Sequence, residues 1–108
     1  MSTQLLEHLR DRLIEYGVAE NTPESCRSWL GRSEGYIRTL RHRNIGPSVE
    51  ALAICANKLG YYVNRLGSSD SDEHRVWRER LQELQTLCEL EIDRQMQAKW
   101  RRPERMAA

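Results

Sequence analysis

The apolar residues in the last third of the chain recur every three or four positions, and this spacing constrains the fold more than any other feature. They are Trp77, Leu81, Leu84, Cys88, Ile92, Met96 and Trp100. Residues at this spacing lie on one side of an α-helix, so the pattern predicts a helix over about residues 72–102, roughly 45 Å long. The repeated four-residue steps after Cys88 break a strict heptad, which disfavours an extended regular coiled coil.

The first thirty residues also carry helical signals, and no stretch alternates with period two for long. Leu6, Leu9, Leu13 and Tyr16 predict an amphipathic helix over about residues 3–16, which Gly17 can end in a left-handed cap. Thr22-Pro23 is a typical helix start, a capping hydroxyl followed by proline at the first helical position. The second helix should then turn its apolar side inward and stop near Gly31; that side is Cys26, Trp29 and Leu30.

Two further helices follow from capping residues and apolar spacing. Ser33 can cap a third helix that ends near Asn44, and Ser48 can cap a fourth. We expect Gly60 to close the fourth helix, with residues 61–66 adding a short helical turn. The apolar face of the fourth helix is Val49, Leu52, Ala56 and Leu59. The fold class predicted from these patterns is all-α.

The flexible polar run from residue 67 to residue 72 is the clearest boundary in the chain. It divides the sequence into a helical domain over residues 1–66, a linker over 67–72 and a C-terminal helix within 73–108.

Composition excludes several classes of function. No apolar stretch approaches the roughly 18–20 residues of a membrane span, and the N-terminus lacks a signal-peptide pattern, so we expect a cytoplasmic protein without membrane contact. The cysteines are odd in number and widely spaced, and the histidines are scattered, which predicts buried thiols and no metal site. The residues concerned are Cys26, Cys55, Cys88, His8, His42 and His74. Without a phosphate-binding loop or a nucleophile–base pair at usable spacing, we expect no cofactor and no enzymatic activity.

Charge is unevenly distributed although the formal net charge is only +1. Residues 32–43 are basic, with only Glu34 opposing their arginines, residues 70–93 are predominantly acidic, and the tail from Arg94 is basic again. Two cationic surfaces are therefore separated by an acidic one.

The third helix combines an apolar strip with a cationic outer side. Tyr36, Ile37 and Leu40 form the strip, and the outer residues are Arg38, Arg41, His42 and Arg43. Such a helix is suited to the major groove of DNA, although a basic helix face is also common on solvated surfaces without a ligand.

The flanking sequence resembles the Xre/Cro-type phage-repressor family over about residues 22–63. Residues 29–37 read Trp-Leu-Gly-Arg-Ser-Glu-Gly-Tyr-Ile, similar to the family's Leu-Gly-x-Ser-x-x-Tyr-Ile core. Residues 47–52 and 55–60 read Pro-Ser-Val-Glu-Ala-Leu and Cys-Ala-Asn-Lys-Leu-Gly, similar to its Pro-Ser-Leu-Glu-x-Leu…Ala-x-x-Leu-Gly segment. The resemblance implies a repressor-like helix-turn-helix domain of four to five helices, here followed by the long C-terminal helix.

The resemblance also implies roles for individual residues. Those expected to face base edges are Ser33, Glu34, Arg38 and Thr39, with Arg38 the best candidate for paired hydrogen bonds to a guanine. Those expected to contact phosphates are Thr22, the backbone amide of Glu24, Arg41, His42, Arg43 and Asn44. Tyr36 is expected in the core.

Two residues depart from the family pattern. Arg27 stands where the second helix usually has a small residue, and Arg32 stands where an apolar residue usually follows the turn glycine. Either side chain could extend outward with its methylenes packed, which leaves the angle between the two helices open.

The C-terminal helix is expected to form a homodimer, which would place two reading helices about one DNA turn apart. The expected dimer contacts are Trp77, Leu81, Leu84, Cys88, Ile92 and Met96, because an exposed apolar strip of that size requires a partner. The alternative is that the helix packs back on the N-terminal domain. Its basic end, residues 99–102, could contact phosphates or could only terminate the helix favourably.

These expectations combine into a sequence-specific regulator of transcription, a repressor of bacterial or phage type, that binds double-stranded DNA as a homodimer. The alternative is a protein-interaction module, antitoxin-like or adaptor-like, that keeps the helical scaffold and binds a partner protein through its C-terminal helix.

Overall fold

The computed structural model describes residues 4–67, 69–102 and 104, and this part of the chain is helical without β-strands. The helices are α1 (Gln4–Glu15), α2 (Thr22–Glu24), a π-helix (Ser25–Trp29), α3 (Tyr36–Arg43), α4 (Val49–Leu66) and α5 (Asp72–Trp100). The predicted all-α class with a long C-terminal helix is confirmed.

Helix α1 follows its apolar spacing closely. Leu6, Leu9 and Leu13 are all buried, which is the inward face that their three- and four-residue steps predict. The helix ends before Gly17, which has a positive φ of 77° and donates its N–H to the Ile14 carbonyl. The predicted left-handed cap is confirmed.

The second helical segment starts as predicted but is capped by a different residue. Asn21, not Thr22, is the N-cap, and its side chain accepts a hydrogen bond from the Glu24 N–H. After Glu24 the backbone continues as the π-helix rather than as a regular α-helix. We call residues 22–29 the α2/π segment. Its predicted inward residues Cys26 and Trp29 are buried, and the segment ends at Gly31 with φ of +64°.

The prediction that Ser33 caps the third helix is wrong. Helix α3 begins at Tyr36, whose N–H donates to the Ser33 carbonyl, and its N-cap is Gly35 without a side-chain cap. Residues 33–35 therefore form part of the turn rather than the first turn of the helix. The other end agrees with prediction, since Asn44 adopts a left-handed conformation and terminates α3.

Helix α4 is capped by Ser48 as predicted, with the Ser48 side chain accepting from the Ala51 N–H. The prediction that Gly60 closes it is wrong, because the helix runs without a break to Leu66. Gly60 instead faces α5, where a β-carbon added at this position would lie 2.6 Å from the Gln85 side-chain nitrogen. Gly60 therefore lies at the contact between α4 and α5 rather than at a helix end.

Helix α5 packs along α4 and completes the core. Leu81, Leu84 and Cys88 are buried in the same cluster as α1 and α4, and Ile92 packs against it. The prediction that these residues form an exposed strip is wrong: the alternative, packing back on the N-terminal domain, is the one observed. Helix α5 and the N-terminal helices therefore share one core instead of forming two independent units.

The ends of α5 contribute less to this core. Trp77 is half-buried with its ring edge-on to Tyr16, the ring centroids being 5.9 Å apart, and Met96 is half-buried. Leu90 and Trp100 are exposed. The stabilising contacts of this helix therefore concentrate on its central turns.

The three cysteines are free and buried, as predicted. The Cys55 side chain of α4 and burial together raise the pKa of Cys88 on α5. The Cys88 thiol is therefore held protonated, as expected for a structural cysteine.

Within the described ranges, no helix is both long enough and apolar enough to cross a membrane.

Candidate nucleic-acid interface

Helix α3 separates apolar and polar residues between two sides. Ile37 and Leu40 are buried in the core, being 1% and 6% exposed. The other residues of α3 after Ile37 are exposed, namely Arg38, Thr39, Arg41, His42 and Arg43. The structure thus brings five of the sequence-predicted DNA contacts to the outer surface of one helix.

A groove of about 300 Å³ lies between α3 and the start of the α2/π segment. Its lining residues are Arg10, Thr22, Pro23, Glu34, Gly35, Ile37, Arg38 and Arg41. We call it the α2–α3 groove. Arg38 forms no hydrogen bond or ion pair with the described part of the chain, so its guanidinium is available to an external acceptor.

Glu34, a predicted base-reading residue, is engaged within the chain. Arg27 donates from Nη1 to the Glu34 carboxylate over 2.7 Å, and both side chains are more than half exposed. Arg27 therefore extends outward instead of entering the contact between the helices. An exposed pair of this kind contributes only about 0–1 kcal/mol, so it opposes release of Glu34 only weakly.

Arg41 is also paired, although it was predicted to contact phosphate. Its Nε donates to Glu7 of α1 over 3.0 Å, which ties α3 to α1 and lowers the positive charge on the outer face of α3. Sequence reasoning missed Glu7 and missed Arg10, which lines the α2–α3 groove. Both lie on α1 beside its apolar stripe, and no local signal indicates that this flank meets α3.

The predicted phosphate contact through the Glu24 amide is contradicted. That N–H donates to the Asn21 side chain over 2.9 Å, which satisfies it within the chain. The Glu24 carboxylate accepts from the Glu20 N–H and adds negative charge at the same helix start. Thr22 is half-buried and lines the α2–α3 groove, so it remains beside the predicted interface.

The C-terminal end of α3 is open and polar. His42, Arg43 and Asn44 are exposed, and their side chains form no hydrogen bond or ion pair with the described residues. Three successive polar side chains at a helix end are free to contact an external anion.

Arg32 holds the turn before α3 against the start of α4. Its Nη2 donates to Ser48 Oγ over 3.0 Å and to the Glu50 carboxylate over 3.1 Å. Its guanidinium carbon lies 5.7 Å from the centroid of the Tyr36 ring, and the Tyr36 hydroxyl accepts from the Ser48 N–H over 3.0 Å. Arg32, which departs from the repressor-like sequence pattern, therefore links the turn before α3 to the start of α4.

The basic end of α5 stays at the surface. Lys99, Trp100 and Arg101 are exposed, and the Arg101 guanidinium carbon lies 5.1 Å from the Trp100 ring centroid. The side chains contact each other and leave the end of the helix solvated.

These features define a small all-α protein with one core. The core contains residues of α1, the α2/π segment, α3, α4 and α5, and α3 presents a polar outer face. Residues 6–101 match the protein family DUF6626, described as a family of unknown function, and the chain belongs to that family. The match includes α5, as expected when α5 completes the core. Searches of curated proteins and of solved structures find no match.

Proposed function

We propose that the protein is a cytoplasmic, sequence-specific regulator of transcription that inserts α3 into the major groove of double-stranded DNA. The observation that carries the proposal is the outer face of α3, where Arg38 has no partner in the described chain and lies beside a groove. A cationic helix anchored by a buried opposite side can approach base edges without loss of core packing.

Arg38 is assigned the main base contact, through paired hydrogen bonds to a guanine, with Thr39 beside it on the same exposed face. Ser33 and Glu34 lie in the turn before α3, so they would reach bases at the edge of the site. Glu34 accepts from a cytosine amine only after leaving Arg27.

Phosphate contacts are assigned to both sides of α3. His42, Arg43 and Asn44 supply them at its C-terminal end, and Arg41 and Thr22 supply them beside the α2–α3 groove. Arg10, which lines the same groove, joins this set. Contacts of this kind set affinity and register without reading sequence.

Two copies on a palindromic site remain part of the proposal, with repression by occlusion of the promoter. The surface that joins them is not the central strip of α5, because Leu81, Leu84 and Cys88 are buried within one chain. The same burial removes the strip that the alternative, a protein-interaction module, was expected to use.

The test begins with selection of bound duplexes from a random library, followed by fluorescence anisotropy on the recovered site. The double variant Arg38→Glu with Arg41→Glu should weaken binding at least a hundredfold, because two contacts become repulsive. Arg75→Glu is the matched control for Arg38→Glu alone, since it reverses the charge of one exposed arginine on α5, and it should change affinity less than threefold.

Salt dependence separates DNA binding from protein interaction. Contact with several phosphates predicts a steep fall in affinity as salt rises, with a log–log slope of about −0.9 per neutralised phosphate. Unchanged duplex binding by the double variant, or a flat salt response, would overturn the proposal.

A further inference from the structure

A second groove, of about 590 Å³, lies on the part of the α2/π segment that includes Ser28 and Trp29. Its lining residues are Val18, Glu24, Ser28, Trp29, Lys58, Tyr62, Arg65, Leu66, Trp77 and Leu81. We call it the aromatic groove. The α2–α3 groove has no lining residue in common with it, so the two are separate features.

One side of the aromatic groove is built on a fixed indole. Trp29 donates from Nε1 to the Val18 carbonyl over 3.3 Å and is 3% exposed. Its ring centroid lies 6.1 Å from that of Tyr62, with the planes tilted by 45°. Lys58 lies over the Trp29 ring at 4.4 Å and donates to the Ser28 carbonyl over 2.8 Å. These contacts hold the Trp29 ring in place before any ligand arrives.

Trp77 of α5 contributes a third ring, and Leu66 and Leu81 add aliphatic surface. Trp77 is held edge-on by Tyr16, and the Arg80 guanidinium carbon lies 5.4 Å from its ring centroid. Aromatic and aliphatic side chains from α4 and α5 thus line the same cavity. Such a lining favours a flat apolar group.

The charged residues of the groove differ in whether they already form hydrogen bonds within the chain. Lys58 is bound to the Ser28 carbonyl, and the Glu24 carboxylate accepts from the Glu20 N–H. Arg65 forms no hydrogen bond or ion pair with the described residues; its guanidinium carbon lies 5.8 Å from the Tyr61 ring centroid. The groove therefore offers one cationic hydrogen-bond donor that the chain itself leaves unused.

We propose that the aromatic groove binds a small aromatic carboxylate, with its ring against Tyr62 and Trp77 and its carboxylate on Arg65. The volume lies within the range of about 300–1,000 Å³ typical of sites for single small molecules. The two lining cations exceed the one lining acid, which selects an anionic over a cationic ligand. This inference does not rest on DNA binding, and either proposal can fail without the other.

The test uses 2-naphthylacetate as the probe, with its uncharged amide and the cationic 2-(2-naphthyl)ethylamine as matched controls. The tryptophan indole N–H resonances are followed by two-dimensional NMR during titration of the full chain. Trp29 and Trp77 line the groove while Trp100 lies exposed at the end of α5, so the chain supplies an internal reference. We expect the Trp29 and Trp77 signals to shift on saturation and the Trp100 signal to stay in place.

The charge assignment is tested by ligand and by variant. The acid should bind at least tenfold more tightly than the amide, and the amine should bind more weakly still. Arg65→Gln should remove most of the preference for the acid while retaining weak binding of the ring, whereas Arg75→Gln should leave the preference unchanged. Both arginines are exposed, so neither substitution disturbs the core.

Three results would each overturn the inference: equal affinity for acid and amide, an Arg65→Gln variant that keeps the full preference, or Trp100 shifts as large as those of Trp29 and Trp77. The last result would show nonspecific adsorption rather than binding in the groove.

Discussion

Gly31 illustrates how one residue fixes the turn that precedes α3. It has a positive φ of 64°, and a β-carbon there would lie 2.9 Å from Ile54 Cδ1. Gly17 has a similar φ of 77°, but a β-carbon there would meet nothing within 4 Å. Substitutions at these two glycines can therefore separate the free-energy cost of a left-handed backbone from that of a steric contact.

We therefore expect Gly17→Ala to lower the free energy of unfolding by about 1 kcal/mol, from backbone strain alone. Gly31→Ala should lower it by about 2–3 kcal/mol, because overpacking against Ile54 adds to the same strain. Urea unfolding measures both values. Ile54→Val in the Gly31→Ala background removes the conflicting carbon and should recover part of the loss; equal losses at the two glycines would contradict this account.

Glu91 makes stability depend on acid pH. Arg94 donates to its carboxylate from Nε and Nη2 over 2.8 and 2.6 Å, and Gln95 donates over 3.0 Å. The hydrogen bond from Arg94 lowers the pKa of Glu91 below its ordinary 4.5, against a smaller opposing effect of burial. Because the folded pKa is the lower one, the stabilisation is present above pH 4.5 and is lost as pH falls through the folded value.

Unfolding measured between pH 3 and pH 7 should show a larger loss of stability at acid pH in the natural chain than in Glu91→Gln. The difference in unfolding free energy between the two proteins should be largest near neutral pH and should shrink below about pH 4.5. A difference that stays constant across the whole pH range would show that the charge of the Glu91 carboxylate does not contribute to stability.

At the scale of elements, α5 owes its position to its central turns. Leu84 is 1% exposed and Leu90 is 62% exposed, although both lie on the same helix six residues apart. Leu84→Ala should cost about 3 kcal/mol of unfolding free energy, because it leaves a cavity in the core, whereas Leu90→Ala should stay within about 0.5 kcal/mol. Thermal and urea unfolding check both, and comparable losses would contradict the packing of α5 on α4.

The helix ends show which local sequence signals are sufficient to predict a helix boundary. Gly17 and Ser48 acted as predicted, because a left-handed cap and a capping hydroxyl need only neighbouring residues. Ser33 and Gly60 did not. Ser33 lies in a turn held by contacts with other elements, since Glu34 accepts from Arg27 and Arg32 donates to Ser48. Gly60 is covered by Gln85 of the next helix.

At the scale of the whole molecule, α5 belongs to the folding unit. Its buried residues share one core with α1 and α4, and the family match extends to residue 101. A chain ending at Leu66 loses the cover on α4, so we expect it to show no cooperative thermal transition by circular dichroism. A chain ending at Gln97 keeps Leu81, Leu84 and Cys88 and should unfold cooperatively, which makes it the matched control.

A fragment ending at Leu66 that melts as sharply as the longer chain would show that α5 is an appendage after all. The same experiment bears on the interpretation of the apolar strip, since the strip was expected to need a second copy of the chain. Its partner is instead α4 of the same chain.

The candidate interface could be predicted only in part. The spacing of Ile37 and Leu40 already indicates which side of α3 is buried, so the exposure of Arg38 and Thr39 follows from helical geometry alone. The pairing of Arg41 with Glu7, and of Glu34 with Arg27, joins residues separated by loops. No periodicity within one helix contains that information, and the pairing of Arg41 is why α3 presents less free positive charge than the sequence suggests.

The sequence by itself determined the all-α class, the amphipathic faces of the helices and several of their ends, because these depend on spacing and on caps formed within a few residues. Only the tertiary structure decided what α5 packs against, since an apolar stripe specifies burial but not the surface that buries it. The basic face of α3 was visible from the start. How much of that charge stays free was decided by Glu7, which the fold brings to Arg41.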